Sequence, residues 1–121
     1  MTLNLILILV SVILGAIGQI LMKQGALQVG SIDFGNLGKF FLSAAINPFV
    51  VGGLAVYFLS SLIWIVVLSR VELSFAYPLI SIGYVLVLVL SALVFKEKVL
   101  GIHYAGVILI ISGVVLITRG R

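Results

Sequence analysis

Charge is scarce in this sequence: of its 121 residues, seven are Lys or Arg and three are Asp or Glu, 8% in all. A soluble domain carries about a quarter. At this length a globule has much surface to cover, and ten charges would not keep it in water. Cysteine is absent, which excludes disulfides, thiol catalysis and thiolate metal sites. There is one histidine, beside a predicted helix end, with no Ser/His/Asp set, metal cluster or phosphate loop around it. An enzyme, a bound metal and a cofactor are therefore not expected. What fills the chain instead is apolar: 64% of residues are hydrophobic. The formal charge of +4 comes from single Lys and Arg residues between apolar blocks. That suits anchoring against lipid headgroups and argues against a nucleic-acid partner.

Four blocks are long enough to cross a hydrocarbon core, which takes roughly 20 helical residues. They run over about 3–22, 48–69, 74–95 and 101–118, so the expected fold is an all-α membrane protein, one four-helix transmembrane domain over 1–121. The first block lacks a basic n-region and a small-x-small cleavage site, so it reads as a mature helix and not a signal peptide. Short connections at Ser69-Arg70-Val71-Glu72-Leu73 and Lys96-Glu97-Lys98-Val99-Leu100 make helices two and three, and three and four, antiparallel neighbours. The longer segment from Lys23 to Asn47 has room for a short interfacial helix. There Asn36 is placed to cap a helix through Ala45, with Leu37, Phe40, Phe41 and Ala44 on one face and Lys39 on the other. Asn47-Pro48 reads as a cap followed by proline in the first turn of the second span. Orientation is poorly specified. Arg70, Arg119 and Arg121 fall on the side of the N-terminus, and Lys23, Lys39, Lys96 and Lys98 on the other. Three against four leaves open both a fixed topology and insertion both ways.

Polar residues within the spans are the candidates for chemistry, because such groups are costly in lipid and turn to protein or water. Ser11, Gly15, Gly18, Gln19 and Met22 recur at three- and four-residue spacing in the first span. Tyr57, Ser60, Ser61 and Trp64 do so in the second, and Tyr77, Ser81, Tyr84 and Ser91 in the third. Two readings stand: close helix packing through small residues, or a lined pathway for an amphipathic ligand. The glycines suit packing. Gln19 with Tyr57, Ser61, Trp64, Tyr77, Ser81 and Tyr84 suits a pathway, since bulky aromatics away from the interface pack poorly. Lys23 follows Gln19 by one turn and ends the first span, as a snorkelling anchor or a partner for phosphate. Glu97 reads as a headgroup-level carboxylate between two lysines. Pro78 removes a backbone donor and frees the carbonyl of Ser74, making a kink or hinge, or a tolerated first-turn proline. Gly106, Ile110 and Gly113 in the fourth span offer a smooth helix-packing face. Four spans enclose little volume, so a sizeable substrate calls for a second subunit.

Three stretches together resemble the drug/metabolite transporter superfamily, EamA-like and of the four-helix type: Gly18-Gln19-Ile20-Leu21-Met22-Lys23-Gln24, Phe75-Ala76-Tyr77-Pro78-Leu79-Ile80-Ser81 and Gly106 to Val114. The fourth-span run is similar to the dimerising helix of small multidrug resistance proteins. The Gln-x-x-x-Lys and Ala-Tyr-Pro-Leu-x-Ser patterns are closer to subunits that flip aminoarabinose-phosphoundecaprenol. Small multidrug proteins carry a glutamate about nine residues before the lysine, where this chain has Leu14 and Gly15, and a third-span tryptophan where it has Ile80. No Asp or Glu lies inside any span, so antiport through a buried carboxylate is not expected.

The resemblance implies a multi-pass protein of the prokaryotic plasma (inner) membrane that flips a polyprenyl-phosphate sugar or similar anionic amphipath. With the polar faces read above, the expected substrate contacts are Gln19, Lys23, Tyr57, Ser61, Trp64, Tyr77, Ser81 and Tyr84, with pairing through Gly106, Ile110 and Gly113 and a hinge at Pro78. The pair is a homodimer, parallel or antiparallel, or a heterodimer with a paralogue. Two other functions remain at this point: export of amphipathic cations without the usual glutamate, and a structural subunit of a heteromeric transporter.

Overall fold

The computed structural model describes residues 2–30 and 34–119; Arg121, counted above for orientation, lies outside them. The described residues form helices joined by short turns. α1 is Thr2–Val29, α2 Leu37–Ile46, α3 Pro48–Leu68, α4 Leu73–Leu79, α5 Ser81–Val94 and α6 Gly101–Arg119, with a 3-10 turn at Phe34–Asn36 before α2. Taking α4 and α5 as one interrupted span, four helices are long and apolar enough to cross a membrane. This is the all-α, four-helix fold expected from the hydropathy.

α1 overruns its expected end. It continues two turns past Lys23 to Val29 and stops only at Gly30, whose φ of 99° is a conformation that glycine adopts freely. Hydropathy falls after Met22, but helix formation does not depend on hydropathy. Gln24, Ala26, Leu27 and Gln28 are good helix formers, and no proline intervenes. Lys23 is therefore a residue inside α1 and not its end.

The extension is held against the start of α3. Asn47 caps α3: its Oδ1 accepts from the amides of Phe49 at 3.0 Å and Val50 at 3.2 Å, while its Nδ2 donates to Gln28 Oε1 at 3.1 Å. Pro48 occupies the first turn, where its missing N–H has no cost. Asn36 stands at the head of α2 but forms no side-chain cap. It closes the preceding 3-10 turn with φ −125° and ψ 27°, away from the extended backbone that aims a cap at the first amides. α2 packs on α1 and α3. Phe40 and Ala44 are half-buried, while Leu37, Phe41, Leu42 and Ile46 are exposed.

α1 and α3 form the longest contact in the molecule. Ser11, Gly15, Gly18, Met22 and Gly25 repeat at alternating steps of four and three, the 3.5-residue period that keeps one seam facing a partner helix. A Cβ on Gly18 would sit 2.9 Å from the Gly53 carbonyl oxygen, and one on Gly53 would sit 2.8 Å from that of Gly18. Two backbones approach here because neither carries a side chain. Lower on the seam Ser11 Oγ donates to the Ser60 carbonyl at 2.9 Å, and Ser60 Oγ to the Ser11 carbonyl at 2.6 Å. Both serines are buried. The packing reading holds for this stripe.

The third span is broken. Proline at 78 has no amide to offer the Ser74 carbonyl, and the helix is interrupted at Ile80, between α4 and α5. Around the break the bonds tighten to three-residue steps, Ile80 N–H to Tyr77 O at 3.0 Å and Gly83 N–H to Ile80 O at 2.8 Å. Ser81 Oγ donates to the Pro78 carbonyl. Polar backbone at this depth is tolerated where it meets protein or a cavity.

The apolar core, Ile8, Val12, Val67, Ala76 and Leu79, closes the Arg70 end of the bundle. There Arg70 Nε donates to Asn4 Oδ1 at 2.7 Å, tying the α3–α4 turn to the start of α1. α6 has no buried residue and leans on α4 and α5. Its start is capped locally, with Leu100 N–H donating to His103 Nδ1 at 2.9 Å. The single histidine is thus used at a helix end.

Candidate functional site

Between α1, α3 and the broken α4–α5 span lies a groove of about 920 Å³, within the range of small-molecule sites. α1 forms its floor through Ser11, Val12, Gly15, Ala16 and Gln19. One wall is α3 with Tyr57, Ser60, Ser61 and Trp64, and the other runs from Tyr77 through the break to Val87. α6 contributes Ile110. Tyr57, Tyr77 and Tyr84 are 44%, 63% and 66% exposed, so the site is an open groove and not an enclosed chamber. Its inner end stops at the core, where Trp64 packs against the buried cluster.

Seven of the eight residues predicted to bind substrate line this groove: Gln19, Tyr57, Ser61, Trp64, Tyr77, Ser81 and Tyr84, together with the expected hinge residue Pro78. Lys23 does not line it. It is exposed on α1 one turn beyond Gln19, which at 1.5 Å per residue is about 6 Å further along the axis. Of the expected pairing face, Ile110 turns to the groove. Gly106 and Gly113 face open space, with nothing within 4 Å of a Cβ built on either. Ser11, Ser60, Ile80, Gly83, Val87 and Ile110 line the groove without having been named as contacts. The serines were visible in the polar stripes. The apolar residues carry no mark in sequence that separates them from their neighbours.

Hydrogen bonding divides the polar lining into spent and unspent groups. Ser11 and Ser60 hold each other's helix, Ser61 Oγ donates to the Tyr57 carbonyl at 3.1 Å, and Ser81 Oγ to that of Pro78. Each serine has given its proton to backbone and offers a ligand only oxygen lone pairs. Among the described residues, no partner is present for the Gln19 carboxamide, the three tyrosine hydroxyls or the Trp64 N–H. No charged side chain among the described residues lines the groove. The site is thus neutral, rich in free donors and faced with aromatic rings. Such a lining suits a ligand with many acceptor oxygens.

No family model and no solved structure matches the chain. Curated relatives do. A protein of Photorhabdus laumondii, named a probable 4-amino-4-deoxy-L-arabinose-phosphoundecaprenol flippase subunit ArnF, is 38% identical over 117 residues, 92% of this chain and 93% of that protein. The chain belongs to this flippase-subunit family. A probable ArnE subunit of Aeromonas hydrophila is 33% identical over 114 residues, covering 94% of this chain and 96% of its own length. A probable ArnE subunit of Pseudomonas fluorescens Pf0-1 is 42% identical over 66 residues, 53% of this chain and 58% of its own. With four membrane-spanning helices, this member of the ArnE/ArnF family is a multi-pass membrane protein of transporter type. Asp33, Glu72 and Glu97 are its only acids, and all lie outside the spans.

Proposed function

We propose that the chain is one subunit of an inner-membrane flippase for a polyprenyl-phosphate-linked sugar, the aminoarabinose lipid named for its relatives being the first substrate to test. The observation that carries this reading is the groove. It is neutral, rich in free donors and open along a rim of tyrosines, and it gathers seven of the eight expected contacts. A sugar brings the acceptor oxygens that such a lining can satisfy, and its lipid tail remains outside through the open side. A partner subunit, a second copy or a paralogue, faces the open side, with the uncontacted stretch of α6 at Gly106 and Gly113 as the assembly surface. Access alternates by rocking of one subunit against the other.

The test is transport in proteoliposomes containing the chain with its paralogue, scored by movement of aminoarabinose-phosphoundecaprenol between leaflets. Ser61→Trp fills the groove at a half-buried position and is expected to abolish transport while the protein still folds. Undiminished transport by a folded Ser61→Trp protein rejects the groove as the pathway. Export of amphipathic cations is the weaker reading, since the groove offers them aromatic faces but no carboxylate. Tight quaternary-ammonium dye binding without polyprenyl-phosphate binding would reverse that order.

A further inference from the structure

The sequence places Gln19 and Lys23 together, one turn apart on one helix face. The structure keeps that spacing but brings only one of them into the groove lining. Gln19 is in the floor of the groove, and Lys23 is outside the lining on the turn beyond it. α1 continues without a break from one to the other, reaching Val29, so their spacing is fixed by a regular helix and not by a loop. The extension that carries Lys23 is itself pinned, through Gln28 to Asn47 and through Gly25 against Val50 and Asn47.

The two side chains also differ in what they can recognise. Gln19 has two donors and an acceptor, none of them used within the described residues. It is the one carboxamide in the lining, among serines that have already given their protons to backbone. A neutral carboxamide matches hydroxyl and amine groups, which both give and take hydrogen bonds. Lys23 is a point charge with three donors and no acceptor, suited to phosphate oxygens. In a lipid-linked sugar these two chemistries are joined by one bond, so two readers about 6 Å apart along α1 are within the span of one headgroup.

We propose that headgroup recognition is divided along α1: Gln19 reads the sugar within the groove and sets selectivity among headgroups, and Lys23 holds the phosphate just outside it. This rests on the flippase reading above and assigns a separate role to each residue. It also sets the polarity of the bound lipid, with the sugar toward the Arg70 end and the phosphate toward the Lys23 end.

The experiment measures binding of two probes to the full chain in nanodiscs, undecaprenyl phosphate alone and the same lipid carrying 4-amino-4-deoxy-L-arabinose. Gln19→Ala is expected to lower the preference for the sugar-bearing lipid over the bare phosphate by about tenfold, the scale of a lost hydrogen-bonded group in a specific site. Lys23→Ala is expected to weaken both lipids alike by about tenfold and leave their ratio unchanged. Lys23→Arg keeps the charge and is expected to restore most of the affinity, which a purely structural role would not require. If both alanine variants weaken both lipids in the same proportion, the division of labour is wrong while the flippase reading stands. If the wild-type chain binds neither probe, alone or with its paralogue, the flippase reading itself fails.

Discussion

The seam between α1 and α3 and the outer helix α6 are built from similar material and behave differently. Both are apolar helices with spaced glycines and occasional serines. In the seam, Gly18 and Gly53 bring two backbones so close that a Cβ on either would meet a carbonyl oxygen inside 3 Å. On α6, a Cβ on Gly106 or Gly113 would meet nothing within 4 Å. The serines differ likewise. Ser11 and Ser60 reach across to the other helix, while Ser112 Oγ turns back to the Ile108 carbonyl of its own helix at 2.8 Å. A glycine or serine in a membrane helix therefore has no fixed meaning until its neighbour is known. The seam locks two helices of the chain together, whereas the glycines of α6 take no part in close packing within it.

The largest effect is expected at Gly18. Gly18→Leu drives a side chain into the Gly53 carbonyl and the Tyr57 backbone, and neither can move without parting the helices. A loss of at least about 3 kcal/mol is expected, at the upper end of overpacking costs, measured by denaturant unfolding in mixed micelles. A loss below 1 kcal/mol would mean that the seam opens easily and does not lock the two helices.

The serine clasp is the next test. Ser11→Ala and Ser60→Ala each remove one interhelical hydrogen bond, leaving the acceptor carbonyl only the bond within its own helix, at a cost of about 1 kcal/mol each. Because the bonds are reciprocal and adjacent, the double variant is expected to be non-additive, with a coupling of about 1 kcal/mol in a double-mutant cycle. Additive losses would show that the two bonds act independently and that the clasp is not a unit. Pro78→Ala follows, restoring an amide opposite the Ser74 carbonyl and removing the ring that interrupts the span. Stability is expected to rise by about 1 kcal/mol while flipping slows, provided that the break at Ile80 bends during transport. A straightened span with unchanged transport would reduce the proline to a local irregularity.

The sequence made most of the groove legible because its contents are unusual in lipid. Gln19, Tyr57, Trp64, Tyr77 and Tyr84 stand out from Leu, Val and Ile, and their three- and four-residue spacing assigns each to a face. The membrane spans were legible for the same reason, since length and hydropathy carry them. Three features were not. The end of α1 depends on helix propensity and on Gly30, and hydropathy reports neither. The missing cap at Asn36 depends on backbone angles set by the preceding turn. The turning of Ile110 toward the groove depends on the rotation of α6 about its axis, which a helix apolar on all sides does not encode.

Gly113→Ala is expected to have the smallest effect on the subunit and so separates the two regions most cleanly. The added methyl enters open space, and alanine is the better helix former by roughly 1 kcal/mol in a helix interior. The isolated subunit should therefore be unchanged or slightly more stable, by less than about 1 kcal/mol, in the unfolding assay that Gly18→Leu is expected to fail. If α6 is the assembly face, the same methyl stands between two helices in the complex. Co-purification of the variant with its paralogue, or cross-linking of two copies, should then fall although the subunit itself is intact. Loss of association with a stable subunit assigns the glycines of α6 to contact between molecules, as Gly18 and Gly53 serve contact within one. Unchanged association leaves that face to lipid and moves the interface to the tyrosine rim of the groove, where Tyr77 and Tyr84 are 63% and 66% exposed.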